Sequence, residues 1–509
     1  MSDIARDAPV FVVGAGIMGA GIAQVAAQAG HPVRLFDARD GAAAAAQQKL
    51  TATLDGLAAK GRLDAAEARA VAARIVPAAS LAEASGAALV VEAIVEDAAA
   101  KRALFAELED VVGADAILAS NTSSISVTAL AAGLRRRGRF VGMHFFNPVP
   151  LMKLVEVVSG LETDPTVASA IEALARAWGK TPVHARSTPG FIVNRIARPY
   201  YAEALALLHE RAATPEQIDA CLRGAGFRMG PCELMDLIGH DTNLAVTKSV
   251  WEASFGDGRY APSLVQQELV DGGLLGRKSG RGFYGHPQPA AVAAPAFEAP
   301  PAPAGAIVAL HGTGVSIDRW ARALDAAAIR FERDPQSRWT GLQTAAGELR
   351  LTDGRTASEV GFEERVRDLA VFDLAPAAGG GVPGAALAFA VADGASAAWR
   401  DGAAAWLRVA GWQPVAIGDV PGLAVARTVA MLVNEASDAV QQGVCSEEAA
   451  DLAMKLGVNY PAGPFEWLAG WNAAAVCALL DRLDRQHRGE RYRVSPALRR
   501  RVWSAGHAA

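Results

Sequence analysis

Two side chains in this sequence have the types and the order that alcohol oxidation requires. His144 lies in the segment GMHFFNPVP, and Glu156 follows twelve residues later in KLVEVV. A neutral imidazole can take a hydroxyl proton while hydride leaves the neighbouring carbon. A lone histidine at a strand end is more often structural, but a chain reversal near Pro150 would make Glu156 its cross-strand neighbour and fix the imidazole tautomer. We therefore predict that His144 and Glu156 form an acid/base pair.

A glycine-rich turn upstream predicts where a dinucleotide binds. Gly14, Gly16 and Gly19 stand between the strand-like run VFVVG and the helical run IMGAGIAQVAAQAG. The missing side chains permit a tight turn and close approach of a pyrophosphate. Asp37 ends the next strand, 18 residues after Gly19, near the spacing at which an acid bonds the adenosine ribose hydroxyls. That carboxylate would repel a 2′-phosphate, so NAD is favoured over NADP, although Arg39 nearby argues the other way.

Two further polar features lie where a ligand could reach them. The segment SNTSS, residues 120–124, follows the strand-like run AILA, and hydroxyl and amide groups at such strand ends point into the ligand crevice of a parallel sheet. An ordinary polar turn is the alternative for this segment. Asn194 lies in GFIVNR on an otherwise apolar helical face, where a buried amide needs a partner. It is either structural or a substrate contact.

Composition excludes several classes of protein. The chain has 509 residues, so we expect two or more domains. A net charge of -5 with 20% charged residues gives no basic field for nucleic acid. No apolar run reaches membrane-spanning length, and the first residues lack the pattern of a secretory signal. The four cysteines lie far apart without CxxC spacing, which favours neither a metal site nor a disulfide framework and predicts a cytoplasmic location.

The order of patterns predicts the fold class. Strand-like runs alternate with Ala-rich helical stretches up to residue 186, which predicts an α/β Rossmann-type NAD-binding domain with a doubly wound parallel sheet. The runs RFVGMHF and KLVEVV are joined by NPVPL, which is too short for a crossover, so we expect them to pair antiparallel at the sheet edge. An all-α domain is predicted over 187–286, followed by an Ala/Pro linker over 287–304.

Beyond the linker the chain repeats itself with an offset of 232 residues. The matching positions are Pro182, Pro189, Gly190, Val193, Arg195, Glu203 and Asp219 against Pro414, Pro421, Gly422, Val425, Arg427, Glu435 and Asp451. With one inserted residue, Gly230, Pro231 and Glu233 are matched by Gly463, Pro464 and Glu466. We therefore predict a second copy of the all-α domain over 413–509. Residues 305–412 have strand-like runs and are predicted to be a degenerate α/β domain, with Ile317 where a third glycine is needed.

Together these motifs resemble the 3-hydroxyacyl-CoA dehydrogenases over roughly residues 8–286. The motifs are GAGIMGAGIAQVAAQAG, VVEAIVED, SNTSS, GMHFFNPVPLMKLVEVV, TPGFIVNR, GPCELMDLIGHD and GRKSGRGFYG. The resemblance implies NAD-dependent interconversion of (3S)-3-hydroxyacyl-CoA and 3-oxoacyl-CoA. It implies that His144 is the acid/base, that Glu156 orients it, and that Ser123 and Asn194 bond the reacting oxygen.

The resemblance also implies further ligand contacts. Besides the glycine turn and Asp37, the residues expected to contact NAD are Glu96, Lys101, Asn121 and Asn147. Lys60 matches a family lysine by its spacing from Asp37, and Thr53 lies on the same helical face, so both are candidates to contact CoA; a solvated helix lysine is the alternative for Lys60. The chain departs from the family at Cys232, where phenylalanine is usual.

The second copy has Ala426 in place of Asn194 and nothing like HFFNP, so we expect it to be non-catalytic. The long form with this second unit resembles the enzymes that oxidise 3-hydroxyadipyl-CoA in bacterial phenylacetate breakdown, with the 3-hydroxybutyryl-CoA dehydrogenases as the alternative. Other candidates are a CoA-independent β-hydroxyacid dehydrogenase, a fused bifunctional β-oxidation enzyme, and a non-catalytic NAD-binding sensor. We expect either a homo-oligomer or an internal pseudo-dimer in which the second helical copy replaces a partner subunit.

Overall fold

The computed structural model describes residues 4–287, 298, 307–376 and 382–505. By their internal contacts these residues form two compact units. The first contains the chain up to residue 195 together with 442–458, and the second contains 196–441 together with the chain from 459 onward. Apart from Pro287 and Glu298, the predicted linker lies outside the described residues. The domain boundaries drawn from the sequence remain predictions.

An eight-stranded sheet lies in the first unit, with helices connecting most of its strands. The strands are β1 (Val10–Val13), β2 (Val33–Phe36), β3 (Ile75–Pro77), β4 (Leu89–Glu92), β5 (Ile117–Ser120), β6 (Phe140–Phe145), β7 (Leu154–Ser159) and β8 (Thr181–Arg186). The helices are α1 (Ile17–Ala29), α2 (Ala42–Ala59), α3 (Ala65–Arg74), α4 (Ala98–Val111), α5 (Val127–Ala131) and α6 (Pro165–Ala177). The strand order is β3-β2-β1-β4-β5-β6-β7-β8, and every neighbouring pair is parallel except β6 and β7. This confirms the predicted Rossmann-type architecture.

The predicted antiparallel pairing of β6 and β7 is present, but these strands are not at the sheet edge. β8 pairs in parallel with the outer side of β7 and forms the edge instead. Its sequence, TPVHAR, contains Pro182 and alternates buried with exposed side chains only weakly, which is why the pattern is hard to recognise. Proline is tolerated here because an edge strand needs hydrogen bonds along one side only.

The first helical copy begins at the end of this sheet. Its helices are α7 (Val193–Ile196), α8 (Arg198–His209), α9 (Pro215–Gly224), α10 (Pro231–Ile238), α11 (His240–Ala253) and α12 (Leu264–Asp271). The predicted capping box at the start of α9 is present, with Thr214 and Gln217 bonding each other's backbone N–H groups. The motifs GPCELMDLIGHD and GRGFYG contact each other. Asp236 of the first accepts hydrogen bonds from the backbone N–H groups of Phe283 and Tyr284 in the second.

A second sheet follows, with a reduced version of the first topology. Its strands are β9 (Val308–His311), β10 (Phe331–Asp334), β11 (Gly341–Thr344), β12 (Gly347–Leu351), β13 (Leu369–Phe372), β14 (Ala385–Val391) and β15 (Trp412–Ala416), with helices α13 (Val315–Ala326), α14 (Ala357–Glu364) and α15 (Ala397–Val409). The strand order is β10-β9-β11-β12-β13-β14-β15, and β11 and β12 form an antiparallel pair where a crossover helix would otherwise be expected. This confirms the predicted degenerate α/β domain.

The second helical copy completes the chain. Its helices are α16 (Val425–Gln441), α17 (Glu447–Gly457), α18 (Pro464–Trp471), α19 (Ala473–His487) and α20 (Pro496–Ala505). Within the second compact unit α16 packs against α8 of the first copy. Glu203 accepts a hydrogen bond from Arg427 Nε at 2.6 Å, and the rings of Tyr200 and Tyr460 lie 5.3 Å apart. The two copies therefore make the contacts that the pseudo-dimer hypothesis requires.

These contacts are reciprocal. Tyr492 donates a hydrogen bond to Glu203 at 2.9 Å, and Tyr260 donates one to Glu435 at 2.5 Å. The arginine before each tyrosine bonds the same glutamate. Glu435 and Tyr492 stand 232 positions after Glu203 and Tyr260, so each copy gives the other the same contact. Such mutual exchange is the property of a twofold-symmetric, isologous interface.

Candidate active site

The side chains of His144 and Glu156 meet on β6 and β7, the two strands that lie nearest to edge strand β8 in the first sheet. They are directly opposed on β6 and β7, and His144 Nδ1 lies 2.5 Å from Glu156 Oε2. His144 is 5% exposed and Glu156 is fully buried. Because Nδ1 carries its hydrogen and donates it to the carboxylate, Nε2 is the nitrogen that can accept a proton. The pairing expected from a reversal near Pro150 is therefore present.

The other carboxylate oxygen of Glu156 holds the start of the next helical segment. Glu156 Oε1 accepts the backbone N–H groups of Ile192 and Val193, both at 3.0 Å. The residue before them, Phe191, has a φ of 47°, and its ring lies 5.9 Å from the His144 ring. A left-handed conformation at a phenylalanine costs about 1–3 kcal/mol, which these hydrogen bonds help to offset. The residue type of Phe191 does not predict this left-handed conformation. Only the preceding glycine, Gly190, indicates an unusual backbone at this point.

Asn194 and Ser123 are brought together on the same side of this unit. Asn194 Nδ2 donates to the backbone oxygen of Ser123 at 3.3 Å, and the Ser123 hydroxyl bonds Glu96 Oε1 at 3.2 Å. Ser123 remains half-buried, as expected for the exposed end of β5. An amide and a hydroxyl are groups that can donate to a negatively charged oxygen, the hydroxyl by exchanging its bond to Glu96 for that oxygen.

A buried ion cluster organises the turn that carries Ser123. Lys101 is 1% exposed and its ammonium group lies 2.5 Å from Glu92 and 3.2 Å from Glu96. Burial raises the pKa of Glu96, but Lys101 and a hydrogen bond from Thr122 outweigh it, so the pKa lies below its usual value. Glu96 is 37% exposed, whereas the Lys101 ammonium faces the protein interior. Glu92, which no sequence motif marks as functional, is fully buried and also accepts a hydrogen bond from Ser120.

The glycine turn has the space that a dinucleotide needs. A Cβ atom on Gly14 would lie 2.4 Å from the carbonyl oxygen of Ala93, and one on Gly19 would lie 1.7 Å from the Gly14 oxygen. Gly14 also has a φ of 102°, which favours glycine. A Cβ on Gly16 would meet nothing within 4 Å, so the space above this residue is open. Two glycines thus let α1 approach the strands closely, and the third leaves room for a phosphate at the helix N-terminus.

Asp37 closes the turn from the neighbouring strand. Its Oδ2 accepts the Ala15 N–H at 2.8 Å, and its carboxylate binds the Arg39 guanidinium at 3.0 Å. The hydrogen bond from Arg39 is the main cause that lowers the pKa of Asp37 to about 2, so this group is ionised at neutral pH. An ionised carboxylate at this position fits ribose hydroxyls and disfavours a 2′-phosphate.

The remaining predicted contacts lie around the same unit. Asn121 Oδ1 accepts the N–H of Phe145, next to His144, and Asn147 is exposed just beyond β6. Thr53 and Lys60 are exposed on and at the end of α2. The position that departs from the family, Cys232, is fully buried at the start of α10.

Lys180 is a further residue that the sequence patterns did not reveal. Its ammonium group donates to the backbone oxygens of Val149 and Met152, in the turn that joins β6 to β7. Burial, assisted by repulsion from Lys153, lowers the pKa of Lys180 to about 8. Lys180 thus fixes the turn between His144 and Glu156.

The second half repeats this scaffold without the acid/base pair. The strand pairings place Asp373 and Ala388 where His144 and Glu156 stand in the first sheet. Asp373 accepts hydrogen bonds from the backbone N–H groups of residues 424–426, just as Glu156 accepts those of Ile192 and Val193. Complete burial raises its pKa to about 6, partly offset by these hydrogen bonds. The carboxylate that anchors the helix start is retained, and the imidazole is absent.

Comparison with known proteins agrees with this geometry. The model of the 3-hydroxyacyl-CoA dehydrogenase NAD binding domain matches residues 9–188, and the C-terminal domain of that family matches both 190–286 and 422–507. Residues 349–421 match the 3-hydroxybutyryl-CoA dehydrogenase reduced Rossmann-fold domain. Among the described residues no helix is long and apolar enough to cross a membrane.

Relatives extend over the whole chain. The chain is 42% identical to the 3-hydroxyadipyl-CoA dehydrogenase of Escherichia coli K12 over 97% of both sequences. It is 44% identical to a probable 3-hydroxybutyryl-CoA dehydrogenase of Bacillus subtilis, over 54% of this chain and 96% of that protein. A crystal structure of 3-hydroxybutyryl-CoA dehydrogenase from E. coli K12 has a TM-score of 0.87 and 40% identity, over 98% of this chain and 99% of the other. The chain belongs to the 3-hydroxyacyl-CoA dehydrogenase family and is an NAD-dependent oxidoreductase acting on 3-hydroxyacyl-CoA.

Proposed function

We propose that His144 is the acid/base of this reaction and that Glu156 orients it. The observation that carries this proposal is the 2.5 Å contact between His144 Nδ1 and a fully buried carboxylate. Glu156 holds Nδ1 as the donor, so Nε2 takes the hydroxyl proton of a 3-hydroxyacyl group and returns it in the reverse direction. Bound NAD supplies the hydride acceptor for this oxidation.

Ser123 and Asn194 are proposed to bond the reacting oxygen. The proposal is supported by the hydrogen bond from the Asn194 amide to the backbone oxygen of Ser123, which brings the two residues together. An amide and a hydroxyl can both donate to an oxygen that gains negative charge. NAD would be held by Gly14, Gly16, Gly19 and Asp37, with Glu96, Asn121 and Asn147 also in contact. Lys101, which the resemblance implied to be an NAD contact, is 1% exposed and paired with Glu92 and Glu96, so we propose that it holds Glu96 in place. Thr53 and Lys60 remain the candidate CoA contacts, supported only by their exposure on α2 and at its end.

The substrate proposed is 3-hydroxyadipyl-CoA, with 3-hydroxybutyryl-CoA as the second candidate. The first is supported by the E. coli 3-hydroxyadipyl-CoA dehydrogenase, which matches this chain along 97% of its length. The second is supported by the 3-hydroxybutyryl-CoA dehydrogenase crystal structure of similar coverage. We propose that the second half is non-catalytic, because Asp373 and Ala388 cannot replace the imidazole pair. The cytoplasmic location is also a proposal, supported by four free cysteines.

The acid/base role is tested by His144→Gln. The purified protein is mixed with acetoacetyl-CoA and NADH, and NADH consumption is followed by absorbance. We expect kcat to fall about 10²- to 10⁴-fold, since general acid/base catalysis contributes about that much, while NADH binding measured by fluorescence is largely kept. Turnover that is unchanged in the variant would discard the assignment. Comparing kcat/KM for adipyl and butyryl substrates then decides between the two candidate substrates.

A further inference from the structure

One segment of the second helical copy belongs to the first compact unit. Residues 442–458, here called the buttress segment, comprise a short loop and helix α17, which packs on β7 and β8. β7 carries Glu156. The active site is therefore supported by residues that lie almost 300 positions further along the chain.

The loop of the buttress segment closes the edge of the first sheet. The backbone oxygen of Val444 accepts the N–H of Arg186, at the end of edge strand β8, at 2.9 Å. Gln442 Oε1 accepts a hydrogen bond from Arg195 at 2.8 Å. Arg195 directly follows Asn194, so this contact holds the segment that carries Asn194, the proposed substrate contact.

Gly457 lies against Leu154, on the same strand as Glu156, and against Val193, whose backbone bonds Glu156. A Cβ atom on Gly457 would come within 2.8 Å of Leu154 Cδ2 and 3.0 Å of Val193 Cγ2. Leu154 and Glu156 share one face of β7, since side chains two positions apart point the same way. Val193 donates its N–H to Glu156. A side chain at position 457 would therefore displace the end of Leu154 and crowd the side chain of Val193.

The same contact occurs a second time, crosswise, in the second compact unit. Helix α9 of the first copy places Gly224 against β14, where a Cβ would lie 2.2 Å from the backbone oxygen of Ala386. Ala386 occupies the position in β14 that Leu154 occupies in β7. Each helical copy thus supports the sheet of the other copy. Of the two sheets, only the first contains an acid/base pair, so only there does the supporting helix lie near one.

We propose that Gly457 is a positioning residue and that the non-catalytic second copy serves the active site through the buttress segment. The proposal rests on the function proposed for His144 and Glu156. The close approach at Gly457 keeps Leu154 and Val193 in place, and these keep Glu156 aligned with His144. The second copy is retained as a part of the catalytic unit, although it performs no chemistry.

The test is Gly457→Val in the full chain, assayed with acetoacetyl-CoA and NADH. We expect kcat to fall about tenfold to a hundredfold, since a displacement of about 1 Å can have that effect. KM for NADH should stay within about twofold, because the glycine turn is not touched, and the pH profile of kcat should shift as the His144 partner moves. The matched control is Gly470→Val, at an exposed glycine of the same copy with nothing within 4 Å.

Adding Val193→Ala to the Gly457 variant should restore part of kcat, because it removes one of the two groups that the new side chain meets, the other being Leu154 Cδ2. If Gly457→Val does not fold, Gly457→Ala with and without Val193→Ala replaces it. Equal kcat and equal pH profiles in the Gly457 and Gly470 variants would overturn the proposal. A wild-type protein without turnover would instead overturn the function proposed for His144, so the two failures are distinct.

Discussion

Replacing Glu156 by glutamine separates its two functions. In Glu156→Gln the amide oxygen can still accept the N–H groups of Ile192 and Val193, which Glu156 Oε1 binds at 3.0 Å. The amide nitrogen then faces His144 Nδ1 and must donate to it. The imidazole responds by carrying its proton on Nε2, which is the nitrogen that should accept the substrate proton.

The expected loss follows from this change of tautomer. Holding a catalytic imidazole in the wrong tautomer costs about 10⁴-fold in kcat, or about 5 kcal/mol of transition-state stabilisation. Binding of NADH should change less than about twofold, since the carboxylate contacts neither the glycine turn nor Asp37. The melting temperature should move by only about 2–4 °C, because the backbone hydrogen bonds at Ile192 and Val193 are kept.

The assay is stopped-flow or steady-state reduction of acetoacetyl-CoA by NADH, with binding measured separately by fluorescence. Glu107→Gln is the matched control, since Glu107 is an exposed glutamate on α4. If Glu156→Gln keeps kcat within about tenfold of the control, the carboxylate does not set the tautomer, and the account of His144 given above is wrong. A large loss of folded protein in place of a loss of kcat would show that the anchoring function dominates.

Two further predictions concern stability. Glu203→Gln should weaken the contact between the helical copies by about 3–5 kcal/mol, because it breaks a buried charge cluster with Arg427 and Arg491. Urea unfolding followed by tryptophan fluorescence measures this loss of stability. An unchanged urea midpoint would contradict the prediction. Asp373 has a pKa raised to about 6 against about 4 in an unfolded chain, so its contribution to stability is present below pH 4 and is lost as the pH rises through 6. The free energy of unfolding of the wild type minus that of Asp373→Asn should therefore be more positive at pH 4 than at pH 7.5, by about 3 kcal/mol at most. A difference that does not change with pH would refute this prediction.

Much of the first sheet could be predicted because its information is local. The strand, glycine turn, helix and acid of the first βαβ unit occur within one short stretch, and the glycine spacing has a direct physical meaning. The reversal between β6 and β7 followed from two prolines and a short connection. The opposition of His144 and Glu156 needs only that reversal and a side-chain period of two.

The parts that were missed depend on distant pairings or on backbone geometry. β8 was overlooked because TPVHAR has few apolar residues, and its place at the sheet edge follows from pairing with β7. The roles of Phe191 and Lys180 arise from one dihedral angle and two carbonyl contacts, which leave no period in the sequence. The repeat predicted that a second helical copy exists, but an offset cannot show that α17 packs on the first sheet.

Comparison of the two halves separates the structural role of Glu156 from its proposed catalytic role. In the second sheet Ala388 stands in its place, yet a carboxylate still anchors the next helix, because Asp373 accepts the equivalent backbone N–H groups, those of Ala424 and Val425, from the position of His144. The anchoring function is thus met by either strand of the antiparallel pair, provided that one acid is present. Catalysis needs more, since the acid must anchor the helix and also face an imidazole. The second sheet keeps the anchoring carboxylate without an imidazole opposite it, which supports our proposal that this half performs no chemistry and that its helical copy supports the first sheet.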